Sequence, residues 1–175
     1  MGDDVFDGLT GVVPGAIARG GVGARSSGAG RRVDRPLSRH DVHMLAGVPL
    51  FAGLSRRHLR RLAEHADLVS FREGQAVVRQ DQAGGTFYVI VQGEAKVQRH
   101  GRTIGTLGPG EFFGEISLLD GGPRTADVVA ATPLVAIRIF KQAFDRVVVE
   151  ERGVAAEILA VVARRLRESE RSLHS

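Results

Sequence analysis

Between Leu68 and Phe140 glycine recurs at short, fairly regular intervals, and this restricts the chain more than any other feature. The β-like runs it separates are Leu68–Phe71, Ala76–Arg79, Phe87–Val91, Lys96–Arg99, Thr103–Leu107, Ala126–Ala131 and Leu134–Ile139. Between them stand Glu73-Gly74, Ala83-Gly84-Gly85, Gln92-Gly93-Glu94, His100-Gly101, Gly108-Pro109-Gly110 and Thr132-Pro133. Runs this short and evenly spaced are too brief for amphipathic helices and predict a sandwich or small barrel of antiparallel strands. His100-Gly101 predicts a tight hairpin, since glycine supplies positive φ.

Helical patterning flanks this block. Ser38 predicts an N-cap for a helix from Arg39 to Ala46 that Gly47 ends. Ser55 caps a second helix, whose apolar stripe is Leu59, Leu62, Ala63 and Ala66. Arg56, Arg57, Arg60 and Arg61 lie largely off that stripe and read as a solvated face. After Phe140 come two more helices, Gln142 to about Val149 and Val154 to about Leu173. The last one is apolar in its first half and charged in its second. Its stripe can seal the mouth of the β-structure or pair with a twin in a homodimer, and the sequence leaves both open. Residues 1–37 are rich in glycine and serine and predict a flexible arm, leaving residues 38–175 as one domain, with β-structure over 68–140 and helices over 141–173.

Composition narrows the function classes. The chain has no cysteine, hence no thiol nucleophile and no thiolate metal site. All but two of its 24 basic residues are arginine, but the net charge is only +4 and the arginines are scattered, which argues against a nucleic-acid patch. His40 and His43 could share a helix face, yet no carboxylate or third histidine accompanies them at metal-ligand spacing, so they read as solvent-facing. No segment reaches the roughly 18 consecutive apolar residues of a membrane span, and the acidic start Met1-Gly2-Asp3-Asp4 is unlike a signal peptide. The expected location is the cytoplasm. Gly108-Pro109-Gly110 followed by Gly114 is not a dinucleotide fingerprint, because the last interval is one residue too long and no βαβ unit surrounds it.

Phe112 to Val128 concentrates the chemistry. After the turn at Gly108-Pro109-Gly110 it carries a carboxylate, Glu115, then turns at Gly121-Gly122-Pro123 and delivers a guanidinium, Arg124, at the head of a strand. Gly114 and Ser117 are small enough for a ligand to approach their backbone. A carboxylate, a guanidinium and accessible amides suit an anionic sugar phosphate. Phe112 and Phe113 read as core.

Residues 48–171 resemble the cyclic nucleotide-binding domain family, which includes bacterial catabolite activators and the regulatory subunits of cAMP-dependent kinase. The resemblance is carried by Val48-Pro49-Leu50-Phe51-Ala52-Gly53-Leu54-Ser55, by Phe87-Tyr88-Val89-Ile90-Val91-Gln92-Gly93-Glu94, and by Phe113-Gly114-Glu115-Ile116-Ser117-Leu118-Leu119 followed by Pro123-Arg124-Thr125-Ala126. It implies an α+β fold: an antiparallel β-roll or jelly-roll barrel of about eight strands, flanking N- and C-terminal helices, and a short phosphate-binding helix. It implies that Glu115 accepts the ribose 2′-hydroxyl and that Arg124 binds the cyclic phosphate. Gly114 would let the backbone approach the sugar, Ile116 and Ser117 would open the helix facing the phosphate, and Thr125 would place a hydroxyl near phosphate or base. Ser169, with Glu170 beside it, falls at the adenine-contacting positions of the last helix.

Two departures stand out. Where many members carry an acid that supports the phosphate arginine, this chain has Gly85-Thr86. Either Asp81 substitutes from the same loop or Arg124 is less firmly held. The helix-turn-helix of the activators is also missing before Ser175, so no DNA-binding domain is expected in this chain. The expectation is a non-enzymatic cyclic nucleotide sensor with no cofactor, no metal and no membrane partner. Its ligand is expected to be cAMP, with cGMP the alternative, and its output partner is unidentified. The competing expectation is a binding-impaired domain that serves as an interaction or dimerisation module.

Overall fold

The computed structural model describes residues 30–174, apart from the side chains of Ser169 and Ser172. Most of the expected arm therefore lies outside the described residues. Its last part does not behave as an arm. Arg31–Arg32 forms a two-residue strand, β1, paired with Ser70 and Val69, and the Val33 N–H donates to Leu68 O at 2.9 Å. Val33 and Leu37 pack against the core. Order thus begins ahead of the boundary expected at Ser38, because the apolar residues before it find a sheet edge and a core to join.

The first helix, α1 (Arg39–Ala46), starts where expected. Ser38 caps it in a reciprocal box with Asp41, and Arg35 holds the buried Asp41 carboxylate at 2.7 Å. Burial alone would raise the Asp41 pKa, but the hydrogen bonds from Arg35 and Ser38 hold it below its ordinary value. A 3-10 turn over Pro49–Phe51 leads to α2 (Arg56–Glu64), capped by Ser55.

The strands are β2 (Ala66–Phe71), β3 (Ala76–Val78), β4 (Thr86–Gln92), β5 (Ala95–Arg99), β6 (Arg102–Leu107), β7 (Phe112–Phe113), β8 (Asp127–Ala130) and β9 (Leu134–Phe140). All pairings are antiparallel. They form one sheet of order β1-β2-β9-β4-β7 and another of order β3-β8-β5-β6. The β5–β6 hairpin turns at His100 and Gly101, both with positive φ, as the sequence predicts. The β-roll with flanking helices is the expected fold. Among the described residues nine strands build the roll, and the sheets do not close into a barrel. Strand β7 is too short to bridge them, since Gly114 turns the chain away after two residues.

Alternation along β4 explains the layering. Phe87 and Val89 face a core shared with α1, α2 and the C-terminal helices, while Tyr88 and Ile90 face a second core between the sheets. The adjacent phenylalanines of β7 divide the same way: Phe112 tilts against Phe87, and Phe113 stacks on Tyr88. With both faces covered, β4 reads as a continuous apolar run rather than an alternating one.

The C-terminal helices are α4 (Lys141–Glu150) and α5 (Val154–Leu173). Phe144, Val147, Val154 and Ile158 bury against Phe51 and its neighbours. Polar ties add to this. His58 meets Glu157 at 3.1 Å, and Arg61 reaches Glu64, Glu150 and Glu151. The arginine face of α2 is thus partly an interface with α4 rather than only a solvated surface. Among the described residues no helix is long and apolar enough to cross a membrane.

Candidate functional site

Between β7 and β8 the chain forms α3 (Glu115–Asp120), a helix of six residues set between two glycines in the left-handed region. Gly114 has φ 86°, and a Cβ there would stand 2.5 Å from Thr86 O and 2.7 Å from Arg124 Nη1. Only glycine fits, on grounds of both conformation and space. At the far end the Gly121 N–H bonds Ser117 O at 2.9 Å. The loop over residues 81–86 is laid tightly across α3. A Cβ on Gly84 would collide with Gly122 O and the Ser117 side chain.

Glu115 is 2% exposed and points into the interior. Its Oε1 accepts a hydrogen bond from Arg165 Nη1 of α5 at 2.5 Å, while its buried Oε2 has no partner. Burial pushes the carboxyl pKa above its ordinary value, and the Arg165 charge and hydrogen bond offset part of that rise.

Arg124 is 6% exposed. Its backbone is clamped by the loop, with Arg124 N–H donating to Gln82 O at 2.9 Å and Asp81 N–H donating to Arg124 O at 2.8 Å. Its Nη2 donates to Thr86 Oγ1 at 2.8 Å, and its buried Nη1 has no partner. Burial lowers the guanidinium pKa, with the nearby Tyr88 phenol acting in the opposite direction. Of the two alternatives for the missing acid, the one in which the Asp81 carboxylate substitutes does not hold. Asp81 holds Arg124 through its backbone, and the side-chain support is the Thr86 hydroxyl. Gly85 has φ +127°, so an acidic residue in its place would be strained.

These groups share one cavity of about 290 Å³. Gly114, Glu115, Ile116, Ser117, Arg124 and Thr125 all line it, and Val78, Val97, Leu107, Phe113 and Val128 give it an apolar wall. Ile116 and Thr125 are exposed at its rim. The Ser117 hydroxyl is already engaged, donating to Gly122 O at 3.2 Å. Ser169 lies on α5 one turn beyond Arg165, and its side chain is outside the described residues. Arg165 and Thr86 are partners that sequence reasoning missed. The available signal for Arg165 is a charge opposite to that of Glu115, four residues before Ser169 on the same helix.

The arrangement offers a buried guanidinium with a free donor and a buried carboxylate with a free acceptor, placed along an apolar slot. Such a set can hold an anion at one end and a hydroxyl beside it.

Comparison with known proteins agrees. The family described as cyclic nucleotide-binding domain matches residues 68–151. The chain is 31% identical over 134 residues to the cyclic AMP receptor protein of Thermus thermophilus, a match covering 74% of this chain and 62% of that protein. It thus spans less than two thirds of the length of that curated relative. Among solved structures it is similar to the N-terminal domain of a transcriptional regulator from Streptomyces coelicolor, with TM-score 0.68 and 30% identity over 72% of this chain and 94% of that one. A cyclic nucleotide-binding-like protein from Brucella abortus gives TM-score 0.59 and 30% identity over 63% and 99%. With the β-roll, the α3 turn and these relatives in agreement, the chain belongs to the cyclic nucleotide-binding domain family.

Proposed function

We propose that the chain is a cyclic nucleotide sensor, with cAMP as its ligand and cGMP the close alternative. The observation that carries this reading is Arg124, a buried cation with no ion pair among the described residues and one unsatisfied donor, Nη1, packed beside Gly114 in the lining of the cavity. A buried charge of this kind calls for a counter-ion, and a cyclic monophosphate supplies one negative charge. The first N–H groups of α3 have no partner within the helix and add donors beside it. Glu115 would repel a phosphate, so its free oxygen fits the ribose 2′-hydroxyl instead, making it a selector for ribose. The base then lies along the apolar wall, with Thr125 at the rim and Ser169 of α5 within the lid. The Thermus relative, by its name, is a cyclic AMP receptor, which favours cAMP here.

Because Arg165 of α5 grips Glu115, binding at the sugar also bears on the position of α5. Ligand then shifts the population of α4–α5 arrangements in proportion to its difference in affinity between them. On α5, Leu159, Leu166 and Leu173 recur every seven residues and are 68%, 61% and 53% exposed. That stripe fits a second copy of the helix in a homodimer. The reading is of a binding protein rather than an enzyme, acting in the cytoplasm on an output partner that the chain does not identify.

Calorimetry with cAMP and cGMP tests it. Binding of either is expected at micromolar to millimolar levels. Glu115→Ala should bring cAMP and 2′-deoxy-cAMP to equal affinity. A second reading, a fold kept as an interaction module, is favoured by the hydroxyl that stands behind Arg124 in place of a carboxylate. A well-folded protein silent to both nucleotides at millimolar concentration would choose that reading.

A further inference from the structure

We propose that Lys141 is a positioning residue that carries the state of α3 and the cavity it lines into α4. It is the first residue of α4, and it touches both halves of the site. Its backbone N–H donates to Gly85 O at 2.8 Å, one residue before the Thr86 that holds Arg124. Its ammonium donates to Leu118 O at 3.3 Å and Leu119 O at 3.1 Å, in the last turn of α3, and to both carboxylate oxygens of Asp145 at 3.1 Å.

The reason for this strut lies in α3. Six residues make a helix that is not stable by itself, and its final carbonyls need partners. Gly121 N–H takes Ser117 O, and Gly114 offers no side-chain cap at the other end. The Leu118 and Leu119 carbonyls are left to Lys141, whose positive charge also suits the negative end of the helix. An ammonium has three diverging donors, enough for two carbonyls and a carboxylate at once. The stem passes close to Gly121, where a Cβ would stand 3.5 Å from its Cδ and Cε. One end of α3 therefore faces the cavity and the other end is fastened to α4. Any movement of α3 that accompanies filling of the cavity is delivered to the first turn of α4, and through Phe144 and Val147 to the helical core. This route is separate from the Arg165–Glu115 contact, which reaches α5 directly.

The proposal rests on the nucleotide-binding reading, and the experiment separates the two. Hydrogen exchange of α3 and α4 amides is followed with and without saturating cAMP in the wild type, Lys141→Met and Lys141→Arg, with affinities from calorimetry. The side chain is 27% exposed, and thermal melting of each variant checks that it folds. In the wild type cAMP should slow exchange in both helices. Lys141→Met should bind roughly three- to tenfold more weakly, the scale of losing charged hydrogen bonds at a partly exposed site. At saturation it should still protect α3 but leave α4 at its ligand-free rate. Lys141→Arg, which keeps the charge, should restore part of the α4 response. Equal protection of α4 in Lys141→Met and wild type, both saturated, would overturn the route while leaving nucleotide binding intact. A wild type that binds no cAMP would overturn both.

Discussion

Glu115 and Arg124 line the same cavity and are almost equally buried, yet the protein answers the two charges in opposite ways. The carboxylate is met by a full charge from a distant element, Arg165 of α5. The guanidinium is met by a neighbouring hydroxyl, Thr86, and by backbone clamps that act on its main chain rather than its charge. One side of the site is electrostatically closed by α5, and the other keeps its charge available. The difference assigns separate tasks. In the proposed function Arg124 supplies the attraction for an anion, while Glu115 joins recognition of a hydroxyl to the position of α5.

Removing the charge on the open side should have the largest effect. Arg124→Ala is expected to weaken cAMP binding by about 2–5 kcal/mol, the scale of truncating one partner of a buried charge pair, with the fold retained. An affinity within threefold of wild type would mean that the phosphate is held elsewhere. Breaking the closed side should act on stability first. Arg165→Met leaves Glu115 buried without its cation and should cost about 3 kcal/mol near neutral pH, the lower end of the range for orphaning a buried ion. The sign with pH follows from burial. The Glu115 carboxyl titrates higher in the folded chain than in the unfolded one, so the folded state holds the extra proton between those two values, and stability falls as pH rises through that window. Loss of Arg165 moves the folded value further up. Arg165→Met should therefore regain stability on acidification, and Arg165→Met with Glu115→Gln should not. Thermal melts across pH that run parallel for these two variants would remove Glu115 from the account. The smallest effect is expected from Thr86→Val, which takes the hydroxyl from behind Arg124. A loss of about two- to fivefold in cAMP affinity is expected, the scale of one hydrogen bond. A loss as large as that of Arg124→Ala would show that the hydroxyl holds the guanidinium as firmly as a carboxylate would.

What could be read in the sequence divides along similar lines. Features fixed by local chemistry were legible: the Ser38 N-cap, the His100-Gly101 hairpin, the extent of α5, and the cavity-lining group from Gly114 to Ser117 with Arg124 and Thr125. Features fixed by a partner far along the chain were not. Strands β1 and β7 have two residues each and exist because β2 and β4 offer them edges, so no periodicity announces them. Arg165 looked like one more charge on a polar helix end until the fold brought it to Glu115. Gly85 looked like the loss of an acid. In the structure it is a backbone requirement at φ +127°, and the supporting role passes to the residue that follows.

The stacked pair Tyr88–Phe113 has a consequence for spectroscopy. The chain has no tryptophan and a single tyrosine, so Tyr88 alone provides its longest-wavelength ultraviolet absorption and emission. That ring lies 5.0 Å from Phe113, which forms part of the cavity wall, and lines a neighbouring pocket together with Arg124. The protein therefore carries an optical reporter at the back wall of its own site. Near-ultraviolet dichroism of one unlabelled residue views the Arg124 end of the cavity directly, with no second tyrosine on α4 or α5 to blur the signal.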